Sequence, residues 1–404
     1  MDFELNEEQQ MVARMVRDYV TKEVAPTIKE WDRKQEMDPQ VLPRMAELGI
    51  LGVSLPVRYG GQGMDYMSLG LVCEELEAGD TSLRVVMSVH MGLCCYAILQ
   101  WGSEEQKLKY LPPLAMGEKI GGYCLTEPDA GSDPAALVST ARRDGDDYII
   151  NGEKMWISLA TKADYMIWIA RTDPEAKKRS GGMSAFILET DSPGVTSGDI
   201  HGKLGVRAGS TGWVNCQDVR VPAANLLGEE GEGFKIAMSC LDNGRYTVAA
   251  GATGLIRASL EASVRYAKER HTFGVPIAHH QLIQQKLAWM ARDYEAARLL
   301  YLKAGWRKNQ GLRNTRETGL AKWYATDASF KAASEAVQVH GGYGFSDEYE
   351  VERFLRNARG AVIYEGSSEI QQILQAGYAL GYREDRPLRK ELPPYDPDEW
   401  TREE

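Results

Sequence analysis

Along the first third of the chain, apolar residues recur at helical spacing. Met11, Val12, Met15, Val16 and Tyr19 predict an amphipathic helix, and Asn6-Glu-Glu-Gln offers its N-terminal cap. A glycine-rich loop at Val57–Gly63 interrupts the pattern, and helical stretches resume over roughly 66–78 and 83–101. The second stretch is apolar almost all round, which predicts a helix buried by others. From residue 118 the period changes. Tyr148-Ile-Ile150 and Met155-Trp-Ile157 flank Asn151-Gly152, a pattern that predicts a hairpin there. Tyr165–Ala170 and Met183–Leu188 read as short buried strands. Strands do not alternate with helices in this region, so a β-barrel or sandwich is expected rather than a doubly wound sheet. After about residue 230 the helical period returns. Ile283, Leu287, Met290, Tyr294, Ala297 and Tyr301 predict one apolar face; Leu320, Trp323, Phe330 and Val337 predict another. Antiparallel helices in a bundle are expected.

The pattern divides the chain into an α-helical region (1–117), a β-region (118–229), a helical bundle (230–382) and a proline-rich tail (383–404). The fold class is α+β. The tail is expected to lie extended on a surface or on a neighbouring subunit. No repeat of 20–50 residues is present.

Composition narrows the function. Of 404 residues, 43% are hydrophobic and 26% charged, which excludes disorder as the main state. Lys+Arg number 47 against 58 Asp+Glu, a net charge of −11. Such a chain is a poor general binder of nucleic acid or anionic membrane. No apolar run approaches the ~18 residues of a membrane span, and the acidic start, Met1-Asp-Phe-Glu4, is unlike a signal peptide. Six cysteines without a C-x-x-C pair point to a reducing cytoplasm, and the six histidines show no metal-binding spacing, so no metal is expected.

Four segments stand out chemically. Tyr123–Asp133 leaves a strand for a loop rich in hydroxyls and glycine, suited to close ligand approach or to an ordinary turn. Lys154-Met-Trp-Ile-Ser158 places a tryptophan that could cover a flat cofactor or fill a core. Glu269-Arg-His-Thr-Phe-Gly274 ends a helix with an arginine suited to phosphate or to the helix dipole. Val339–Phe345 is glycine-rich, and Ile363-Tyr-Glu-Gly-Ser-Ser-Glu-Ile370 sets Glu365 between an aromatic and a glycine. A carboxylate in an apolar pocket becomes a usable base; at a helix start it is merely favoured by the dipole.

In this order, the segments resemble the acyl-CoA dehydrogenase family over roughly residues 3–382. The two signature regions correspond to Tyr123–Asp133 and Gln338–Gln371. The resemblance implies a helical domain, a middle β-domain and a four-helix bundle. FAD would lie extended between the last two, across a subunit interface in a homotetramer. By motif match, Tyr123, Thr126 and Ser132 are flavin-side contacts, Ser132 also facing substrate, and Trp156 and Ser158 border the isoalloxazine. Arg270, Phe273 and Gln281 match the neighbouring subunit's hold on the pyrophosphate and adenine half. Gln338, Gly341 and Gly342 match the second dinucleotide loop. Ser367 and Glu369 stand where further flavin contacts are placed, although the family often has Thr and Gln there. Asp242 and Arg245 match the helix lining the pantetheine channel. Glu365 matches the catalytic base, with Tyr364 and Gly366 beside it at the substrate. Some branches carry the base next to the arginine at 245; here that neighbour is Gly244, so Glu365 is the only candidate.

The acyl tail is expected near Ser82–Val89, where Arg84 is out of place among apolar residues. An unpartnered buried arginine is costly. Its partner is either a protein acid, such as Glu74, Glu75 or Glu77, or the distal carboxylate of a substrate. The segment resembles the glutaryl-CoA dehydrogenase branch, which uses an arginine there. Gly131-Ser-Asp-Pro134 and Asn243-Gly-Arg-Tyr246 point the same way but are partly shared with short-chain enzymes. The expected substrate is therefore a dicarboxylic acid CoA monothioester, glutaryl-CoA or a substituted succinyl-CoA such as benzylsuccinyl-CoA. The alternative is a butyryl-type short-chain enzyme. An acyl-CoA oxidase is disfavoured by the missing extra C-terminal domain. A non-catalytic flavoprotein is disfavoured by the charge and the intact Tyr364-Glu-Gly366. The dehydrogenase reading implies electron-transfer flavoprotein as acceptor.

Overall fold

The computed structural model describes residues 4–402; Met1–Phe3, most of the acidic start, and Glu403–Glu404 lie outside the described residues. Helix α1 (Glu7–Tyr19) begins on the expected cap. Asn6 accepts the Gln9 N–H at 2.8 Å, and Gln9 accepts the Asn6 N–H at 3.1 Å. Helices α2 (Ile28–Lys34) and α3 (Val41–Glu47) lead to α4 (Tyr66–Gly79). Asp80 ends α4 in extended backbone and caps the next helix through the Ser82 N–H. From Thr81 to Trp101 the chain stays helical: α5 (Thr81–Met87), a π-helical stretch (Ser88–Cys95) and α6 (Tyr96–Trp101). This corrects the expectation that no run is apolar and long enough to span a bilayer. Thr81–Trp101 meets that requirement by length and composition, and all of it is packed inside protein. Arg84, Ser88 and His90 break the run as read residue by residue, yet each finds a partner within the fold, and the average remains apolar. Helix α7 (Glu104–Ala115) completes the region.

Eight strands follow: β1 (Gly121–Cys124), β2 (Thr140–Asp144), β3 (Asp147–Ser158), β4 (Tyr165–Arg171), β5 (Met183–Glu189), β6 (Val195–Asp199), β7 (Thr211–Pro222) and β8 (Leu226–Leu227). Their order is β6-β7-β3-β2-β4-β5-β8, with β1 parallel to β4. Only Thr140 and Arg171 join β2 to β4, so the sheet is nearly two. The hairpin expected at Asn151-Gly152 is not there. β3 runs straight through, and the β2–β3 turn falls at Gly145–Asp146. Asn151 is held instead by Asp218 of β7: it donates to the carboxylate at 3.1 Å and accepts the Asp218 N–H at 2.8 Å. The register shifts beside it at Gly152, where φ is +149° and a β-carbon would meet Ser139 Oγ at 2.1 Å, so the position suits only glycine. Asp144-Gly145 carried the real hairpin signal.

The 37-residue α8 (Gly233–Glu269) is the axis of the last region, buried almost continuously from Asp242 to Ser259 and packed against α4, α9 (Gln281–Asn309) and α10 (Thr315–His340). Between α8 and α9, β9 (His271–Thr272) and β10 (Val275–Pro276) form a small hairpin. The face of α10 differs from expectation. Leu320 is exposed and Trp323, Phe330 and Val337 are half-buried, while Ala321, Ala325, Ala332, Ala333 and Ala336 face inward. Close approach of helices selects small side chains over large ones. Helices α11 (Val351–Ala361) and α12 (Ser368–Ala379) follow. The tail runs without helix or strand over the surface of its own chain as far as the short α13 (Pro397–Trp400). Trp400 is buried edge-on to Tyr66, Tyr66 donates to the Pro393 carbonyl at 2.6 Å, and Arg389 pairs with Glu232.

Candidate active site

Glu365 lies in the turn between α11 and α12, in left-handed backbone with φ +54°, followed by Gly366 at +88°. A non-glycine residue there is strained by about 1–2 kcal/mol and must be held from outside. Arg245 Nε donates to the Glu365 carbonyl at 3.3 Å. Lys322 Nζ donates to the Gly366 carbonyl at 2.9 Å, and Gln371 Nε2 reaches both carbonyls at 3.4 and 3.3 Å. The Glu365 N–H has no protein acceptor among the described residues. Ser367 caps α12, and the exposed Glu369 carboxyl is held below its usual range chiefly by a hydrogen bond from Ser367. Both thus serve the helix start.

The Glu365 side chain crosses to α8, where Gly244 leaves room for it. A β-carbon at 244 would stand 1.9 Å from Oε2. That oxygen is shielded from solvent and has no hydrogen-bond partner. Burial pushes the carboxyl up to about 7, against the pull of Arg84, Lys322 and Arg245.

Arg84 is fully buried. Its Nε donates to Glu77 at 2.5 Å, Nη1 donates to Ser88 Oγ at 3.0 Å, and Nη2 donates to the Tyr364 hydroxyl. Of the three acids considered as partner, Glu77 is the one. Glu74 is taken by Tyr294, Tyr301, Arg257 and Arg298, and Glu75 by Arg17 and Arg257. Gly251 makes room for the pair, since a β-carbon there would meet Glu77 Oε2 at 2.0 Å. Ser88 continues the chain to Thr247 of α8 at 2.7 Å. Asp242 pairs with Arg245 at 3.2 Å and also accepts from Thr315.

On the β-region, the Met155 N–H donates to the Thr126 carbonyl at 2.9 Å and brings the first signature loop against β3. The fully buried Lys154 reinforces this link by donating to Glu127 at 2.8 Å and to the Leu125 carbonyl at 3.1 Å. Trp156 sits at a second register shift, with φ +61°, and is 60% exposed. Ser158 ends the strand opposite Thr211, and Ser132 stands in the open loop. Tyr123 is buried, its hydroxyl donating to Ala237 of α8 at 3.4 Å.

The remaining predicted residues form a separate group. Arg270, Gly341 and Gly342 line a cavity of about 710 Å³ with His340 and Tyr343. Phe273, at φ +53° and 96% exposed, stands on the β9–β10 turn; Gln281 and Gln338 are exposed nearby on their helices. No hydrogen bond among the described residues joins this group to Glu365. The fit to a dinucleotide is good: an arginine, two glycines whose β-carbon positions meet nothing within 4 Å, and the exposed Phe273 on a strained turn. Among the described residues no group of three His, Cys, Asp or Glu could hold a metal.

Fold and site together define a flavin-dependent dehydrogenase of thioesters. The chain belongs to the acyl-CoA dehydrogenase family: its N-terminal, middle and C-terminal domains match residues 6–118, 122–219 and 231–378. It is an oxidoreductase, and its cofactor is FAD. It is 44% identical to a probable acyl-CoA dehydrogenase, YngJ, of Bacillus subtilis (94% of this chain, 100% of that one). It is 41% identical to the glutaryl-CoA dehydrogenase of Desulfococcus multivorans (95% and 99%). The solved butyryl-CoA dehydrogenase of Megasphaera elsdenii superposes with a TM-score of 0.92 at 41% identity (94% and 100%).

Proposed function

We propose that this enzyme dehydrogenates the α,β-bond of a dicarboxylic acid CoA monothioester, glutaryl-CoA or a substituted succinyl-CoA such as benzylsuccinyl-CoA. Glu365 removes the α-proton. Its enclosed, unpartnered Oε2 supports this role, and a carboxyl raised to about 7 suits proton transfer near neutrality. The unused Glu365 N–H meets the charge that develops on the thioester oxygen. Bound FAD supplies the hydride acceptor for the β-carbon, held by Thr126, Trp156 and Ser158 on its ring side and by Arg270, Phe273, Gln281, Gln338, Gly341 and Gly342 on its adenosine side. Among the described residues no hydrogen bond or ion pair joins the two groups within one chain, which supports a second copy of the chain completing the site, as a homotetramer would provide. Asp242 and Arg245 flank the pantetheine arm. Electrons leave to electron-transfer flavoprotein. Six buried, unpaired cysteines support a reducing, cytoplasmic location.

The substrate class rests on Arg84. Glu77, Ser88 and Tyr364 use one N–H on each guanidinium nitrogen and leave one on Nη1 and one on Nη2 for a further acceptor such as a carboxylate. Tyr364 ties the guanidinium to the residue next to the base. The Glu77 pair favours a second reading, a butyryl-type enzyme with a purely structural arginine. An anaerobic titration with glutaryl-, benzylsuccinyl- and butyryl-CoA decides. Bleaching of the flavin by an acidic thioester, lost by about 100-fold or more in Arg84→Met with FAD retained, supports the clamp. A second variant, Arg84→Met with Glu77→Gln, avoids leaving a buried carboxylate unpaired. Bleaching by butyryl-CoA alone, unaffected in either variant, sinks it.

A further inference from the structure

Lys322 has no part in the chemistry described so far, yet it is the only Lys, Arg, Asp or Glu among the buried positions of α10. Its ammonium has three N–H bonds and one protein acceptor, the Gly366 carbonyl. Burying a cation with so little compensation is expensive. Burial accordingly pulls the amine down to about 7, with the Glu365 carboxylate the main influence holding it up. Glu365 in turn has an oxygen with no hydrogen-bond partner. Each group is thus incompletely satisfied, and each is the other's electrostatic neighbour.

We propose that Lys322 is a positioning residue for the base: it pins the left-handed Glu365–Gly366 turn through the Gly366 carbonyl, and its charge keeps the Glu365 carboxylate ionised. The first role follows from geometry. Two successive residues at positive φ present carbonyls to α8, α10 and α12, and Lys322 makes the shortest of the contacts that hold them. The second follows from what surrounds the carboxylate. Arg84 from α5 and Arg245 from α8 also face it as cations, but Arg84 is spent on Glu77 and Arg245 on Asp242. Asp327 of α10 and Glu369 of α12 lie within reach of Lys322, and Asp327 is held by Ser368. The other titratable neighbours, Tyr123 of β1, Tyr364 and Cys73 of α4, are neutral because burial pushes each upward. Lys322 is therefore the one nearby cation without a carboxylate in hydrogen-bond contact. Removing it leaves the base with fewer reasons to ionise.

The inference rests on Glu365 being the base and is independent of the acyl group. It is tested by single-turnover flavin reduction across pH 5.5–9.5, with whichever thioester bleaches the wild-type holoenzyme. Lys322→Met and Lys322→Gln, with FAD retained, are expected to move the midpoint of the reduction rate upward by about one pH unit. The rate at pH 6.5 then falls about tenfold and recovers at pH 9. A midpoint within 0.2 units of wild type in a neutral variant that keeps its flavin, as a residue that only braces the fold would give, overturns the proposal. Should both neutral variants lose FAD, Lys322→Arg decides: a midpoint at or below the wild-type position supports a role for the charge, and one displaced upward rejects it. Glu365→Gln run alongside separates the two claims, because reduction by that variant would defeat the base and leave the Lys322 result without a target.

Discussion

The turn at Glu365 and the cavity at Gly341 differ in how much of their surroundings this chain supplies. At Glu365 a strained residue and the glycine after it are held through their carbonyls by Arg245, Lys322 and Gln371, and the carboxylate has a slot cut for it in α8. At Gly341 and Gly342 the space above the backbone is empty, and Phe273 stands on its turn with 96% of its surface exposed. The first region is preorganised for a reaction whose geometry must be tight. The second presents loose donors and an aromatic that only a partner or ligand will cover. One region is closed by its own chain, and the other is left open by it.

The contrast can be broken at several points. Replacing Glu365 by Gln should lower the rate of flavin reduction by about a thousandfold or more while the protein stays yellow, as read by stopped-flow absorbance. Gly244→Ala should cost about a hundredfold in the same assay, because its β-carbon occupies the place of Oε2 and displaces the base; unchanged reduction would mean that the carboxylate works from elsewhere. A thermodynamic signature accompanies the slot. The folded carboxyl titrates at about 7 against 4.5 unfolded, so this group's contribution to stability is full below pH 4.5 and is lost as pH rises through 7. Flavin-free Glu365→Gln should therefore melt a few degrees above wild type at pH 8 and together with it at pH 4.5. The smallest effect belongs to the open region. Phe273→Ala should weaken FAD binding about tenfold, leave the reduction rate unchanged at saturating FAD, and leave the melting temperature of the flavin-free protein unmoved, since the ring buries almost nothing.

The succession of helical, β and helical regions was legible because hydrophobic period reports on local backbone. What escaped depended on a neighbour. Asn151-Gly152 reads as a turn until Asp218 is placed opposite to capture the asparagine. The inward face of α10 is small rather than large because α8 comes close, and spacing alone does not encode that distance. Arg84 was visible as a lone charge, but the choice of Glu77 over Glu74 and Glu75 depended on tyrosines and arginines far along the chain. Lys322 carries a signal of the same kind, a lone cation beside small residues, which a face of large apolar residues on α10 conceals.

Gly244 and Gly251 stand seven residues apart, on one side of α8. One gap admits the Glu365 carboxylate, the other the Glu77–Arg84 pair. The interval between them, roughly 10 Å along the axis at about 1.5 Å per residue, is fixed by helical pitch. Loops can breathe and side chains can change rotamer, but that interval stays constant. α8 is therefore a gauge that sets the Glu365 carboxylate and the Glu77–Arg84 pair a constant distance apart, and its two glycines are the marks.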